Sequence, residues 1–127
     1  MKTLFIVVNV DSFFLSHRKE IALAAQENGF IVTIVANDTG QRNEIEKLGF
    51  HFIDLPNIKS IQNLFKEFNI LFFLLSIYKK NKPDIIHHVG LKLILYGTFV
   101  AKITGVKRIV NAVSGLGVLF SIWTWNC

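Results

Sequence analysis

Residues 4–25 read Leu-Phe-Ile-Val-Val-Asn-Val-Asp-Ser-Phe-Phe-Leu-Ser-His-Arg-Lys-Glu-Ile-Ala-Leu-Ala-Ala. The uncharged run Leu4–Val8 predicts a buried strand, extending over Leu4–Asn9. A polar turn follows, and then a helix over Ser16–Asn28 with Ser16 as its N-cap. Ile21, Ala22, Leu23, Ala24 and Ala25 form its apolar side, and Gly29 closes it. Strand, polar turn and helix in that order form the opening unit of an open α/β sheet. In such a sheet, ligands bind in the crevice at the carboxyl ends of the strands. The turn sets Asn9, Asp11, Ser16, His17 and Arg18 at that crevice, giving an amide, a carboxylate, a hydroxyl, an imidazole and a guanidinium.

The alternation continues along the chain. Strands are expected at Phe30–Ala36, Phe50–Leu55, Asp84–Val89 and Lys107–Val113. Between them lie a short polar helix over Gln41–Leu48, a longer helix over residues 60–80 and a helix over Leu91–Thr104. The expected fold class is therefore α/β, a Rossmann-like parallel sheet with helices on both faces. Residues 121–127, with Trp123 and Trp125, are expected to form an atypical tail with no further element.

A chain of 127 residues favours one domain. Its 51% apolar content and mean hydropathy of +0.43 fit a sheet covered on both faces, or contact with a membrane or partner. Charge is uneven. Residues 1–54 carry five basic and seven acidic residues, whereas residues 55–127 carry nine basic and two acidic. The basic half points to an anionic neighbour. Its lysines cluster at helix ends with neither a recognition helix nor an aromatic platform, so nucleic acid is not an expected partner. Cys127 is the sole cysteine and the last residue, which rules out a disulfide framework and points to a cytoplasmic setting. The apolar start is short, Asn9 and Asp11 follow it at once, and no small-residue cleavage site appears, so it is a strand and not a signal peptide.

Three further places could carry chemistry. His87 and His88 end the fourth strand, but adjacent strand residues point to opposite faces and cannot share a metal. One of them packs within the layers, and the other faces the crevice with Lys92. No cysteine set or spaced carboxylates make a zinc site, and none is expected. Ser114-Gly115-Leu116-Gly117 contains only a fragment of a dinucleotide fingerprint, because Phe120 stands where the third glycine would be. It reads as a turn lining the crevice. The helix over 60–80 has a broad aromatic face including Phe68 and Phe72, and a basic end at Lys79, Lys80 and Lys82. Two readings stay open for it: an ordinary helix covering the sheet, or an interfacial helix on an anionic membrane surface.

The motifs Asn9–Arg18, Lys82–His88, Lys92, Tyr96-Gly97 and Val110–Gly117 together resemble the amino-terminal half of family-4 glycosyltransferases of the GT-B type, from Met1 to about Phe120. The resemblance implies a domain over residues 1–120 that binds the sugar acceptor, a lipid-linked saccharide, in bacterial surface polysaccharide synthesis such as capsule or O-antigen. It implies His17 as the catalytic group. Asn9, Asp11, Ser16, Arg18, His88, Lys92, Ser114, Gly115 and Gly117 would line the acceptor cleft. Phe68, Phe72, Lys79, Lys80 and Lys82 would face the membrane, placing the protein in the cytoplasm and peripherally on the membrane's inner face. In such enzymes a second domain holds the nucleotide-sugar donor, and no counterpart of it is expected within these 127 residues. The chain is thus expected to be a truncated product, or one half of a split enzyme with a separate donor-binding subunit, and to need no cofactor of its own. The alternative expectation is a non-catalytic remnant that binds a membrane surface or a protein.

Overall fold

The computed structural model describes residues 2–56, 64–112 and 124–126. β1 (Thr3–Val10) runs into α1 (Asp11–Phe13), a π-helical turn (Phe14–Arg18) and α2 (Lys19–Glu27). Next come β2 (Ile31–Asn37), α3 (Arg42–Lys47), β3 (His51–Asp54) and α4 (Leu64–Asn81). β4 (Ile85–Val89), α5 (Leu91–Thr104), β5 (Arg108–Ala112) and β6 (Thr124–Asn126) complete the order.

The sheet order is β3-β2-β1-β4-β5-β6. The first five strands are mutually parallel, as expected, and β6 pairs antiparallel with β5. β6 corrects the expectation that the tail adds no element. Trp125 lies opposite Val110 and Thr124 opposite Asn111, so the end of the chain extends the sheet edge.

Alternation along β1 divides the core. Phe5 and Val7 join Leu74, Tyr78, Leu93 and Val100 beneath α4 and α5. Leu4, Ile6 and Val8 join Phe14, Ala22 and Ile45 beneath the π turn, α2 and α3. Both faces are covered, which explains why β1 carries no polar residue between Leu4 and Val8. α2 ends as the sequence predicts: Gly29 takes φ +91°, a conformation that ordinary residues avoid.

The start of the first helix differs from expectation. There is no polar turn, because helical backbone begins at Asp11, directly after the strand. Ser16 is not an N-cap but lies inside the π turn. The register of β1 against β2 slips between Val7 and Val10, and this irregularity carries the chain out of the sheet toward the helix.

Candidate crevice at the ends of β1 and β4

Asp11 is fully buried and forms the foundation of this region. Its carboxylate accepts hydrogen bonds from Ser12 N (2.8 Å), Thr39 N (2.9 Å), Gln41 N (2.9 Å) and the Thr39 hydroxyl. Burial alone would raise its carboxyl pKa. The bonds from Thr39, Gln41 and Ser12 outweigh that and hold the group below its ordinary value. Asp11 is therefore corrected from a cleft-lining residue to an anchor that ties the β1 end to the β2–α3 loop. Its oxygens are already engaged within the chain.

The π turn, a backbone form often found at functional sites, presents the next residues. His17 is exposed and stacks on Phe13, with ring centroids 4.4 Å apart and planes within 10°. Its Nδ1 lies 2.6 Å from Ser16 Oγ, and Ser16 Oγ lies 3.2 Å from the Phe13 carbonyl. Arg18 is half-buried, and burial lowers its pKa, although it stays charged in any ordinary range. Arg18 Nε and Asn9 Oδ1 are buried with no hydrogen-bond partner among the described residues. Buried polar atoms are normally bonded, and none of the described residues supplies a partner for these two. Gly90, at φ +100°, opens α5 beside Asn9, and a Cβ there would lie 3.6 Å from Asn9 Nδ2.

The two histidines of β4 divide between the faces, as the strand alternation requires, but the one expected at the cleft lies inside. His88 is fully buried. Tyr78 OH lies 2.8 Å from its Nε2, its Nδ1 lies 2.9 Å from Asn111 Oδ1, and Asn111 Nδ2 donates to Thr98 Oγ1 at 2.9 Å. That amide orientation makes Asn111 Oδ1 an acceptor, so His88 carries its proton on Nδ1 and accepts from Tyr78 at Nε2. Burial lowers its pKa to about 4, and burial also pushes the Tyr78 phenol up. His88 is corrected from a cleft residue to the centre of a buried polar chain joining α4, β4, β5 and α5.

His87 points to the opposite face, toward the π turn. Its Nδ1 lies 3.1 Å from the Val110 carbonyl. Burial, helped by the nearby Arg18 charge and opposed by the Val110 carbonyl, depresses its pKa to about 4. The residue that shares an environment with Arg18 is thus His87, which the sequence reading left unassigned between the two faces. Lys92 is half-buried in the first turn of α5, next to Gly90. Ser114, Gly115 and Gly117 lie outside the described residues.

On the opposite layer, Phe68 and Phe72 of α4 are 52% and 65% exposed. The structure adds a row that the sequence reading missed. Leu91, Leu95, Phe99 and Ile103 of α5 recur every four residues and are all about 60% exposed. The two helices enclose a wholly apolar groove of about 220 Å³ between Phe68, Phe72, Phe99 and Ile103. Lys79, Lys80, Lys82 and Lys102 are exposed at the carboxyl ends of the same helices. Among the described residues, no helix is long and apolar enough to cross a membrane.

Comparison with solved structures places this fold among known ones. A glycosyltransferase from Rickettsia africae superposes with a TM-score of 0.68 at 18% identity, over 94% of this chain and 32% of that one. MurG from Acinetobacter baumannii gives 0.65 at 19% identity, over 89% of this chain and 34% of that one. The carboxyl-terminal domain of a Pyrococcus furiosus hydrogenase gives 0.62 at 19% identity, over 87% of this chain and 90% of that domain. At these identities the likeness carries the fold alone, and the hydrogenase domain shows why. The chain spans about a third of the length of MurG and of the Rickettsia enzyme. No curated protein sequence matches it. The model of the glycosyl transferase 4-like family, however, matches residues 3–122, nearly the whole chain. The chain therefore belongs to the glycosyl transferase 4-like family and has the Rossmann-like fold of a single GT-B half.

Proposed function

We propose that this chain is the acceptor-binding half of a glycosyltransferase that moves a sugar from a nucleotide-sugar onto a lipid-linked saccharide in bacterial surface polysaccharide synthesis. One observation carries the reading. The residues that close β1 and the turn after it include an exposed histidine next to a half-buried arginine, and Arg18 Nε and Asn9 Oδ1 are buried without a hydrogen-bond partner among the described residues. That set suits a hydroxyl-rich, anionic ligand in the crevice where an open α/β sheet binds.

The donor would be held by a second domain or a separate subunit. His17 would accept the proton of the attacking acceptor hydroxyl as the new glycosidic C–O bond forms and the bond to the nucleotide diphosphate breaks. The diphosphate departs with the electron pair of that bond. Arg18 and Asn9 would orient the acceptor or its phosphate. The apolar groove between α4 and α5, together with the exposed lysines at the carboxyl ends of these helices, supports a lipid-linked acceptor: it would seat the domain on an anionic leaflet of the cytoplasmic membrane, where such a substrate resides.

The test is sugar transfer by the chain combined with a donor-binding half. His17→Ala should reduce turnover about 10²–10⁴-fold, the usual worth of a positioned general base. Because His17 is exposed, the variant should keep the wild-type fold, which a circular dichroism melt checks. Unchanged turnover in a folded His17→Ala chain would contradict the proposal.

A further inference from the structure

The short contacts around Ser16 form a chain with a forced polarity. Ser16 Oγ lies 3.2 Å from the Phe13 carbonyl and 2.6 Å from His17 Nδ1. A serine hydroxyl has one proton and a carbonyl has none. If Ser16 donated to His17, its oxygen would face the Phe13 carbonyl with lone pair against lone pair. If Ser16 donates to the carbonyl, as helical serines commonly do toward the preceding turn, its oxygen is free to accept. His17 Nδ1 must then be the donor. The satisfied order is Nδ1–H to Oγ, then Oγ–H to the Phe13 carbonyl.

We infer that Ser16 is a positioning residue that holds neutral His17 as the Nδ1–H tautomer, leaving the Nε2 lone pair as the proton acceptor. Nε2 bonds to nothing among the described residues, and His17 is exposed. The Phe13 ring, 4.4 Å away and within 10° of parallel, fixes the imidazole plane, so Nε2 keeps one direction. When Nε2 takes up a proton, the Nδ1–H bond to Ser16 need not rearrange. It becomes charge-assisted. This is the relation of a base to its orienting partner seen in other acyl- and group-transfer sites, built here from adjacent residues of one π turn. The inference rests on His17 being the base of the proposed reaction, but the tautomer can be measured without any reaction.

A long-range proton–nitrogen correlation spectrum of the ¹⁵N-labelled chain, recorded at about pH 8 where ordinary imidazoles are neutral, reports which ring nitrogen is protonated. His17→Gln identifies the His17 signals among the four histidines. The expected result is protonated Nδ1 in the wild type. Ser16→Ala should shift His17 toward the Nε2–H form, and Ser16→Thr should restore the wild-type pattern. Nε2–H dominance in the wild type would overturn the inference, as would Nδ1–H dominance that persists in a folded Ser16→Ala chain. A separate outcome is distinguishable. If the tautomer follows Ser16 as expected while His17→Ala leaves transfer intact, the hydrogen-bond chain stands and the reading of His17 as base falls.

Discussion

At residue scale, the crevice rests on side chains that are already engaged within the chain. Asp11 illustrates this, since its four hydrogen bonds hold Thr39 and Gln41 against the start of α1. Asp11→Ala would leave three part-buried amides without their acceptor, at about 1 kcal/mol each. It should lower stability by about 3 kcal/mol in denaturant unfolding, whereas His17→Ala should change it by less than about 0.5 kcal/mol. Gly97 is a second case. A Cβ there would stand 2.1 Å from His88 Nε2. Gly97→Ala must therefore displace the imidazole from Tyr78 and Asn111, and a loss of about 2 kcal/mol or more is expected. A melt indistinguishable from wild type would show that the His88 chain is not tightly packed. Neither role was legible beforehand. Asp11 and Thr39 are far apart in sequence, and a Gly in a helix pattern gives no sign of the histidine packed against it.

At the scale of elements, the sequence carried most of the fold. The unbroken apolar run Leu4–Val8 in β1, Gly29 after α2 and the mostly apolar stretch from Leu91 to Thr104 each placed an element where the structure has it. Reading went astray where the local signal was ambiguous. Ser16 looks like an N-cap, but the buried Asp11 already starts the helix on the strand end. α5 is apolar nearly all round, so periodicity could not separate its buried Leu93, Gly97 and Val100 from its exposed Leu95, Phe99 and Ile103. The two histidines were correctly assigned to opposite faces, yet which of them faced inward depended on packing against α4 and α5. A prediction belongs at this scale. Because each surface lysine contributes about 1 kcal/mol to an anionic bilayer, replacing Lys79, Lys80 and Lys82 with glutamine should weaken flotation with anionic vesicles about a hundredfold. Phe72→Ser with Phe99→Ser should weaken it at unchanged fold stability. Equal failure of wild type and variants to float would remove the membrane surface from the account.

For the whole molecule, buried titratable groups give the fold a defined acid limit. His87 and His88 are held neutral, with pKa values lowered to about 4 by burial. In the unfolded chain they titrate near 6.5. Between those values the unfolded state binds the extra protons, so stability is complete above about pH 6.5 and falls as pH drops toward 4. The depressed Asp11 carboxyl acts in the same direction at lower pH, as unfolding frees it to protonate. Thermal midpoints should thus decline steadily from pH 7 to pH 5, and a flat profile across that window would contradict the two buried neutral imidazoles. The same exterior that keeps histidines dry leaves a wide apolar row on α4 and α5, so concentration-dependent association in sedimentation is expected to diminish in Phe72→Ser with Phe99→Ser.

The central claim is that the crevice at the ends of β1 and β4 receives the acceptor. Its most direct test is a titration of the ¹⁵N-labelled chain with a water-soluble, short-chain prenyl-diphosphate-linked saccharide, followed by amide chemical shifts. The account predicts saturable changes at Asn9–Arg18 and Gly90–Lys92. Binding that perturbs only the other end of the sheet, around Lys2, Asp84 and Arg108, would contradict it, as would no perturbation up to about 1 mM ligand.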